Sequence, residues 1–215
     1  MNTIKKDNSD PGKPKAKGRP KCFNRDDALN DALQVFYEKG YEATSVAQLG
    51  EAMNMKPPSL YNAFGDKEQL FIEVLDHYHR PYQESLVQIF SDAKDTREAI
   101  RLLMEKSKNL HANTNPIGCL VVNSTVNAGS EGSPIADKIK SLHDTTEKLI
   151  YQRLKQGQQM GEIPSTVKIA KLAHYVSGIL LGAAALARGQ KSPAAVKDLL
   201  DQGYQGFLGL AGMSG

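Results

Sequence analysis

One stretch constrains the fold more than any other: TSVAQLGEAMNMKPPSLYNAFGDKEQL, which begins at Thr44. Apolar residues Val46, Leu49 and Met53 recur there at intervals of three and four, so they predict one face of a helix. Thr44 or Ser45 precedes this pattern, and both are residue types that cap a helix N-terminus. The stretch is therefore expected to begin with a short amphipathic helix.

A second helix is expected to start at Pro57 and Pro58, because a missing N–H costs nothing in the first turn of a helix. It would run to Phe64, with Leu60 and Phe64 pointing inward. Gly65 is expected to end it, since glycine commonly follows the last helical residue. The two helices would then be separated by a tight turn.

The ends of these helices carry further signals. Asp66, with Gln69 three residues later, predicts a capping box at the start of the next helix. At the first helix of the pair, Glu51 lies outside the position that a capping box requires. We therefore expect that helix to be capped by a hydroxyl alone.

Two short helices joined by a tight turn have the layout of a helix-turn-helix, whose second helix lies in the DNA major groove. Short helix pairs with apolar faces also occur in helical enzymes, so two core helices of an enzyme are the alternative. The sequence contains no paired-carboxylate motif, Gly-rich phosphate loop, CxxC or HExxH. We therefore expect no enzymatic activity, no cofactor and no metal site.

The run from Gly40 to Leu70 closely resembles the DNA-binding domain of the TetR/AcrR family of bacterial transcriptional repressors. The similarity rests on GYEATS at its start, AQL in the first helix of the pair and SLYNAFGDKEQL at its end. It covers about the first quarter to third of the chain, and beyond it only length and helical character agree. The resemblance implies a repressor that binds an approximately palindromic operator on double-stranded DNA as a dimer.

The resemblance also implies which side chains contact DNA. Groups at a helix N-terminus and beside the second helix would bind phosphate, and groups on the second helix would contact base edges. An Asn can bond adenine through two hydrogen bonds, and a Lys can donate to guanine. A histidine present in many relatives is replaced here by Ala63, which removes one potential contact. The implied phosphate contacts are Thr44, Ser45, Tyr61 and Lys67, and the implied base contacts are Lys56, Pro57 and Asn62.

Positive charge is concentrated at the N-terminus. Residues 1–25 hold eight Lys or Arg against two Asp, a net charge of +6, whereas the whole chain carries +3. Residues 1–21 show no apolar period, so we expect a disordered basic arm. Lys17 and Arg19 in this arm could lie in the minor groove, where negative potential attracts Arg; a solubilising tail is the alternative.

The remaining composition is that of an ordinary globular chain, with 40% hydrophobic and 24% charged residues. No apolar run has the length that a bilayer span requires, and the basic N-terminus lacks the apolar segment of a secretory signal. Two cysteines without an export signal predict a reducing, cytoplasmic setting. We therefore expect no membrane partner.

From residue 69 onward the chain has helical periodicity throughout, which together with the preceding helices predicts an all-α fold of about nine helices. Pro81 is expected to kink or break the long helix that follows the capping box. Further N-caps are expected at Thr96, Ser133 and Ser192. The predicted division of the chain is a basic arm (1–21), a helix-turn-helix domain (22–68) and a larger effector-binding and dimerisation domain (69–215).

The last two helices indicate how the chain would dimerise. The second half of the helix expected over Thr166–Arg188 is apolar nearly all round, so it must be covered on all sides. The same two helices from a second copy would complete a four-helix interface, giving a homodimer; cover by the intervening helices is the alternative. Gly182→Arg is then expected to give a monomer.

The resemblance further implies a pocket among the middle helices for a small-molecule inducer of unidentified chemistry. Polar residues within apolar helices are the candidates for contacts with this inducer, above all Asn123, His174 and Tyr175.

Cys119 starts a short helix, and the N-terminus of a helix lowers the pKa of a thiol. This supports a second hypothesis, a repressor that senses oxidants or electrophiles through the thiol; a small buried hydrophobe is the alternative. A helical binding protein without DNA function is the third interpretation.

Overall fold

The computed structural model of the chain describes residues 24–113, 119–125, 132–189 and 192–213, and these ranges form nine α-helices and no strand. The predicted all-α fold is confirmed. The predicted arm contacts Lys17 and Arg19 lie outside the described residues. The helices are α1 (Arg25–Ala43), α2 (Val46–Ala52), α3 (Pro57–Phe64), α4 (Lys67–Asp92), α5 (Thr96–Asn113), α6 (Leu120–Thr125), α7 (Pro134–Gln159), α8 (Ile169–Arg188) and α9 (Pro193–Leu210).

The helix-turn-helix has the boundaries that its sequence predicts, with one correction at a cap. Pro57 begins α3, and Asp66 forms the expected capping box with Gln69 at the start of α4. At α2, however, the Ser45 hydroxyl accepts from the Gln48 N–H, and the Gln48 side chain accepts from the Ser45 N–H. The expectation of a hydroxyl cap alone was wrong, because Gln48 occupies the reciprocal position of a capping box.

The helix-turn-helix shares its core with α1 and the first half of α4. Leu60 on α3 is fully buried and Phe64 is 5% exposed, so this face of α3 is fixed against the core. Phe36 of α1 and Phe71 of α4 meet edge to face, with ring centroids 4.7 Å apart. The same core extends to α6 and the start of α7 through Leu120, Val121, Ile135, Ile139 and Leu142.

A second core is formed by α5, α8, α9 and the later parts of α4 and α7. The helix α4 continues through Pro81 and contributes Leu75 to the first core and Leu86 to the second. The predicted boundary between residues 68 and 69 therefore does not separate the two cores, and stays a prediction about independent units. The helix α4 therefore runs from the DNA-binding motif into the second core, while α6 and the start of α7 pack on the first core.

Two details of the second core differ from the sequence prediction. Thr96 does not cap α5: the Asp95 carboxylate accepts from the Glu98 N–H instead, and Thr96 donates through its N–H and hydroxyl to Glu162.

By length and composition α8 is apolar enough to cross a membrane, the one such helix in the described part of the chain. It packs against α7 and α9, as the core helix of a soluble domain does. Its composition therefore does not indicate a membrane protein.

Candidate DNA interface and effector cavity

The outer face of α3 presents the residues that the sequence predicts to contact bases. Lys56, Pro57 and Asn62 are exposed, and Tyr61 is 48% exposed. Asn62 lies on the side of α3 opposite the buried Leu60, whereas Lys56 and Pro57 are exposed at the N-terminal end of the helix. This face offers a cation, an amide and a phenol side by side. Such groups can form hydrogen bonds with base edges and phosphates in a major groove.

Lys67 has a role within the protein that the sequence did not reveal. Its ammonium donates to the carbonyl oxygens of Tyr41 and Thr44, each at 3.0 Å, and lies 4.3 Å from the centroid of the Tyr41 ring. These contacts connect the first turn of α4 to the segment before α2. Since an ammonium has three N–H groups, one remains for a phosphate, and the predicted phosphate contact stays a prediction.

The donors of Thr44 are occupied inside the protein. Its side chain is buried, its hydroxyl donates to the Gly40 carbonyl at 2.6 Å, and its N–H donates to the Tyr41 carbonyl. In this conformation Thr44 therefore shapes the turn before α2 and offers no donor to a phosphate. Ser45 is exposed and uses its N–H in the capping box, which leaves the hydrogen of its hydroxyl for a phosphate.

An ion pair between Arg25 and Glu73 holds the end of α3, and sequence analysis did not identify it. The Arg25 Nε and one terminal nitrogen donate to the two carboxylate oxygens of Glu73, each at 2.6 Å. The other terminal nitrogen donates to the Ala63 carbonyl at 2.9 Å, and the guanidinium lies 4.4 Å from the centroid of the Phe64 ring. The Glu73 carboxylate raises the pKa of Arg25. One cation thus joins α1, α3 and α4.

We expect Glu73→Ala to lower the preference of the protein for its operator over random DNA. The change removes a negative charge, which alone would favour DNA binding, but it also releases Arg25 and the end of α3. Because the pair is partly exposed, the loss in unfolding free energy should stay below about 1 kcal/mol. Fluorescence anisotropy with both DNAs measures the preference. Tighter operator binding would mean that the pair does not position α3.

A cavity of about 320 Å³ lies between α4, α5, α6, α7 and α8. Its volume is at the small end of the range for ligand pockets. Four α8 residues spaced at intervals of three, one and three line it, which is one face of a helix. The aliphatic part of the wall consists of Pro81, Leu110, Val121, Val122, Leu180, Leu181 and Ala184.

The three predicted ligand residues lie outside the cavity wall. His174 is exposed and its Nδ1 lies 2.7 Å from a carboxylate oxygen of Glu147. The Tyr175 hydroxyl donates to the Gly203 carbonyl on α9 at 3.3 Å, and the Asn123 carbonyl accepts from Arg188. The cavity follows a different face of α8, so these three residues stay predictions about ligand binding that the cavity does not support. The polar residue on that face is Ser177, which the 3.6-residue period could have grouped with Leu180, Leu181 and Ala184.

Cys119 lines the cavity, directly before the first turn of α6. It is half-buried and carries a free thiol. Burial raises the pKa of Tyr78, and a charge interaction and a hydrogen bond with this thiol add to the rise. A side chain in the cavity is therefore in contact with the one cysteine in the described ranges.

Three histidines of the wall are held in their neutral forms. Burial lowers the pKa values of His111 and His143, and burial with the nearby His143 lowers that of His79 to about 4. The His79 Nε2 lies 3.1 Å from the Thr146 hydroxyl, whose own hydrogen goes to the Leu142 carbonyl. The Nε2 atom must then carry the hydrogen and donate it. The cavity wall at this point is polar but uncharged.

The shifted pKa of His79 predicts a pH dependence of stability. Its pKa is about 4 when folded and near 6.5 when unfolded, so between these values the unfolded chain binds more protons. The free energy of unfolding should therefore fall as the pH is lowered from 6.5 towards 4. Chemical denaturation at pH 7.5, 6 and 5 measures this fall, which should be smaller in His79→Gln. Equal falls in both proteins would contradict the assignment.

The helix-turn-helix has an exposed recognition helix, α3, and α4 connects this motif to a cavity. This arrangement is typical of DNA-binding transcription regulators. The chain belongs to the TetR family: the family profile for bacterial regulatory proteins of the tetR family matches residues 28–74, and that for the tetracyclin repressor-like C-terminal domain matches residues 98–202. It is a sequence-specific, DNA-binding transcription regulator, as the resemblance implied.

Relatives support this assignment over most of the chain. The HTH-type transcriptional repressor ComR of Escherichia coli K12 is 37% identical over 176 residues, which cover 81% of this chain and 84% of ComR. The repressor BdcR of the same strain is 32% identical over 130 residues, covering 60% and 66%. A cysteine mutant of the TetR family regulator CifR, solved with 26-bp operator DNA, is 31% identical with a TM-score of 0.75, covering 87% and 98%.

Proposed function

We propose that this chain is a cytoplasmic repressor that binds a palindromic operator as a homodimer and is released when a small molecule enters the cavity. One observation carries the proposal: α4 takes part in both sites. Its first residue, Lys67, contacts the turn before α2, and its residues Tyr78, His79 and Tyr82 line the cavity. A shift of α4 that suits a ligand would therefore move the helix-turn-helix.

The proposed DNA contacts follow from exposure and chemistry. Base edges would be read by Lys56, Pro57 and Asn62, which are exposed on or beside α3. Tyr61, Ser45 and the third N–H of Lys67 would bind phosphates, and Lys17 and Arg19 would enter the minor groove. Thr44 would act by shaping the turn, since its donors are occupied.

Dimerisation would use exposed surface on α8 and α9. Gly178 on α8 and Gly209 on α9 are exposed, and nothing lies within 4 Å of a Cβ placed on either. Leu181 is 39% exposed and Leu210 is 55% exposed on the same helices. Small residues beside exposed leucines allow two helix pairs to approach closely. Two copies would then present two α3 helices to two half-sites of one operator.

Release by a ligand requires unequal affinity for two conformations. A molecule that binds the released conformation more tightly shifts the population towards it, and operator DNA shifts it back. The two ligands must therefore weaken each other's binding by the same factor. This reciprocity separates a true effector from a molecule that merely fits the cavity.

A filled cavity tests the proposal. Ala184 is buried in the cavity wall, so Ala184→Phe would occupy ligand space. Compounds that raise the melting temperature of the wild type are first selected from a library and then added to the operator complex. They should release wild-type protein from DNA but not Ala184→Phe, whose melting curve serves as the folding control. Binding compounds that never change operator affinity would contradict the proposal.

A thiol sensor is the second candidate, and one observation favours it. Cys119 lies in the wall of the same cavity, beside Tyr78, so a reactive molecule in the cavity would meet the thiol. Treatment with an electrophile should then release wild-type protein from operator DNA and leave Cys119→Ser bound. Equal release of both proteins would eliminate this candidate.

A further inference from the structure

Two buried polar atoms in the cavity wall have no hydrogen-bond partner within the described structure. They are Nδ1 of His111, from α5, and Oγ of Ser177, from α8. A buried polar group without a partner costs more free energy than a typical hydrogen bond contributes, and each such group in a native protein requires an explanation. Since both residues line one cavity, a ligand in the cavity is the simplest common partner.

The remainder of the wall indicates what the ligand carries besides polar atoms. Leu110, Val122 and Leu180 give it an apolar part. Roughly ten water molecules would fill about 320 Å³, so a molecule built on a single ring has the appropriate size. Burial raises the pKa values of Tyr78 and Tyr82 and lowers that of His111, so these groups are neutral at pH 7.

The charges in the wall do not favour a charged ligand. Lys106 contributes a cation, whereas Asp144 and Glu147 contribute two carboxylates, and Glu147 already pairs with His174. A buried anion would face these carboxylates. A buried cation would face Lys106, while Asp144 is exposed to solvent and Glu147 already contacts His174. Among the described residues of the wall there is no arginine that could bind a carboxylate through two hydrogen bonds. A charged molecule would therefore lose its hydration without full compensation.

We propose that the effector is an uncharged, single-ring-sized molecule with an apolar body and one hydroxyl group, which Ser177 and His111 bind. This inference rests on the proposed function, because it names the ligand class of that same cavity. A hydroxyl both donates and accepts, so it satisfies the Ser177 hydroxyl together with either tautomer of the imidazole. The geometry thus matches an alcohol or a phenol.

Four molecules of one shape test the ligand class. Benzyl alcohol, toluene, benzoate and benzylammonium share a ring and differ in the group attached to it. Binding to the full-length protein without DNA is measured by calorimetry at pH 7. We expect benzyl alcohol to bind about threefold to tenfold more tightly than toluene, the range of one net hydrogen bond, and more tightly than both ions.

One variant and a matched control test Ser177 as an anchoring residue. Ser177→Ala should reduce the preference for benzyl alcohol over toluene, since only His111 remains as a partner, and it should not lower the melting temperature, because it removes an unsatisfied buried group. Ser141→Ala, on the exposed surface of α7, is the matched control and should keep the preference. An unchanged preference in Ser177→Ala would overturn the assignment.

Some binding results would overturn the proposed ligand class and leave the proposed function of the protein intact. Tighter binding of benzoate or benzylammonium would do so, as would no binding of benzyl alcohol at millimolar concentration. Release of operator DNA by a charged library compound would keep the proposed function and overturn the ligand class. Failure of every cavity-binding compound to release DNA would instead overturn the proposed function, even if benzyl alcohol binds as expected.

Discussion

Asn62→Ala is expected to weaken operator binding roughly fivefold to 150-fold and to leave binding to random DNA unchanged. Asn62 is exposed on α3, whose opposite face is buried, so its amide is available to a base edge. A two-bond contact between Asn and adenine contributes about 1–3 kcal/mol of discrimination between bases. Anisotropy titrations of both DNAs at one salt concentration measure the effect.

A matched control separates base contact from a general loss of folded protein. Asn109→Ala removes the same type of side chain from an exposed position on α5, far in sequence from the helix-turn-helix, and should bind both DNAs as the wild type does.

Lys67→Ala should weaken binding to both DNAs, because the phosphate contact and the hydrogen bonds to the Tyr41 and Thr44 carbonyls are lost together. An equal loss on operator and random DNA for Asn62→Ala would exclude base reading by this residue.

Gly178→Arg is expected to convert the dimer into a monomer and to lower operator affinity by roughly 100-fold or more. Gly178 is exposed on α8, and a Cβ placed on it has no described atom of the same chain within 4 Å, so we expect the arginine to disturb a second copy rather than its own chain. A monomer binds one half-site and loses the avidity that links two recognition helices. Sedimentation velocity measures the oligomeric state, and anisotropy measures the affinity.

The choice of glycine decides whether this test is clear. A Cβ on Gly182, the position that the sequence suggested, would lie 3.4 Å from the Leu199 side chain of the same chain. A monomer produced by Gly182→Arg would therefore not separate loss of the interface from altered packing of α8 on α9 within one copy. Thr145→Arg, on the exposed surface of α7, controls for the added charge and should stay dimeric. A dimeric Gly178→Arg would place the interface elsewhere.

Local signals in the sequence predicted the elements well because helix ends depend on neighbouring residues. Pro57 fixes the first turn of α3, and Ser133 and Ser192 accept from the N–H groups of the third residue after them, as N-caps do. The cap at Thr96 failed because Asp95 competes for the same position and the Thr96 hydroxyl has distant partners. Such partners come from the folded chain and leave no local pattern.

The DNA-contact face and the cavity could be predicted only in part, because many of their contacts join residues that are distant in the sequence. The exposed face of α3 follows from one helix and its period, so Lys56 and Asn62 could be chosen from sequence. The Arg25 and Glu73 ion pair joins residues 48 positions apart, and the cavity depends on the relative placement of five helices. His174 and Tyr175 were therefore selected for polarity alone, while Ser177 on the neighbouring face was missed.

Selection from a random DNA library tests sequence-specific operator binding most directly. The full-length protein and Asn62→Ala are each carried through several rounds at near-physiological salt, and the bound fragments are sequenced. We predict that the wild type enriches one inverted repeat with half-site centres about one helical turn, or a multiple of it, apart. Asn62→Ala should relax the preference at one base pair of each half-site. Salt-sensitive binding without an enriched repeat would contradict the account.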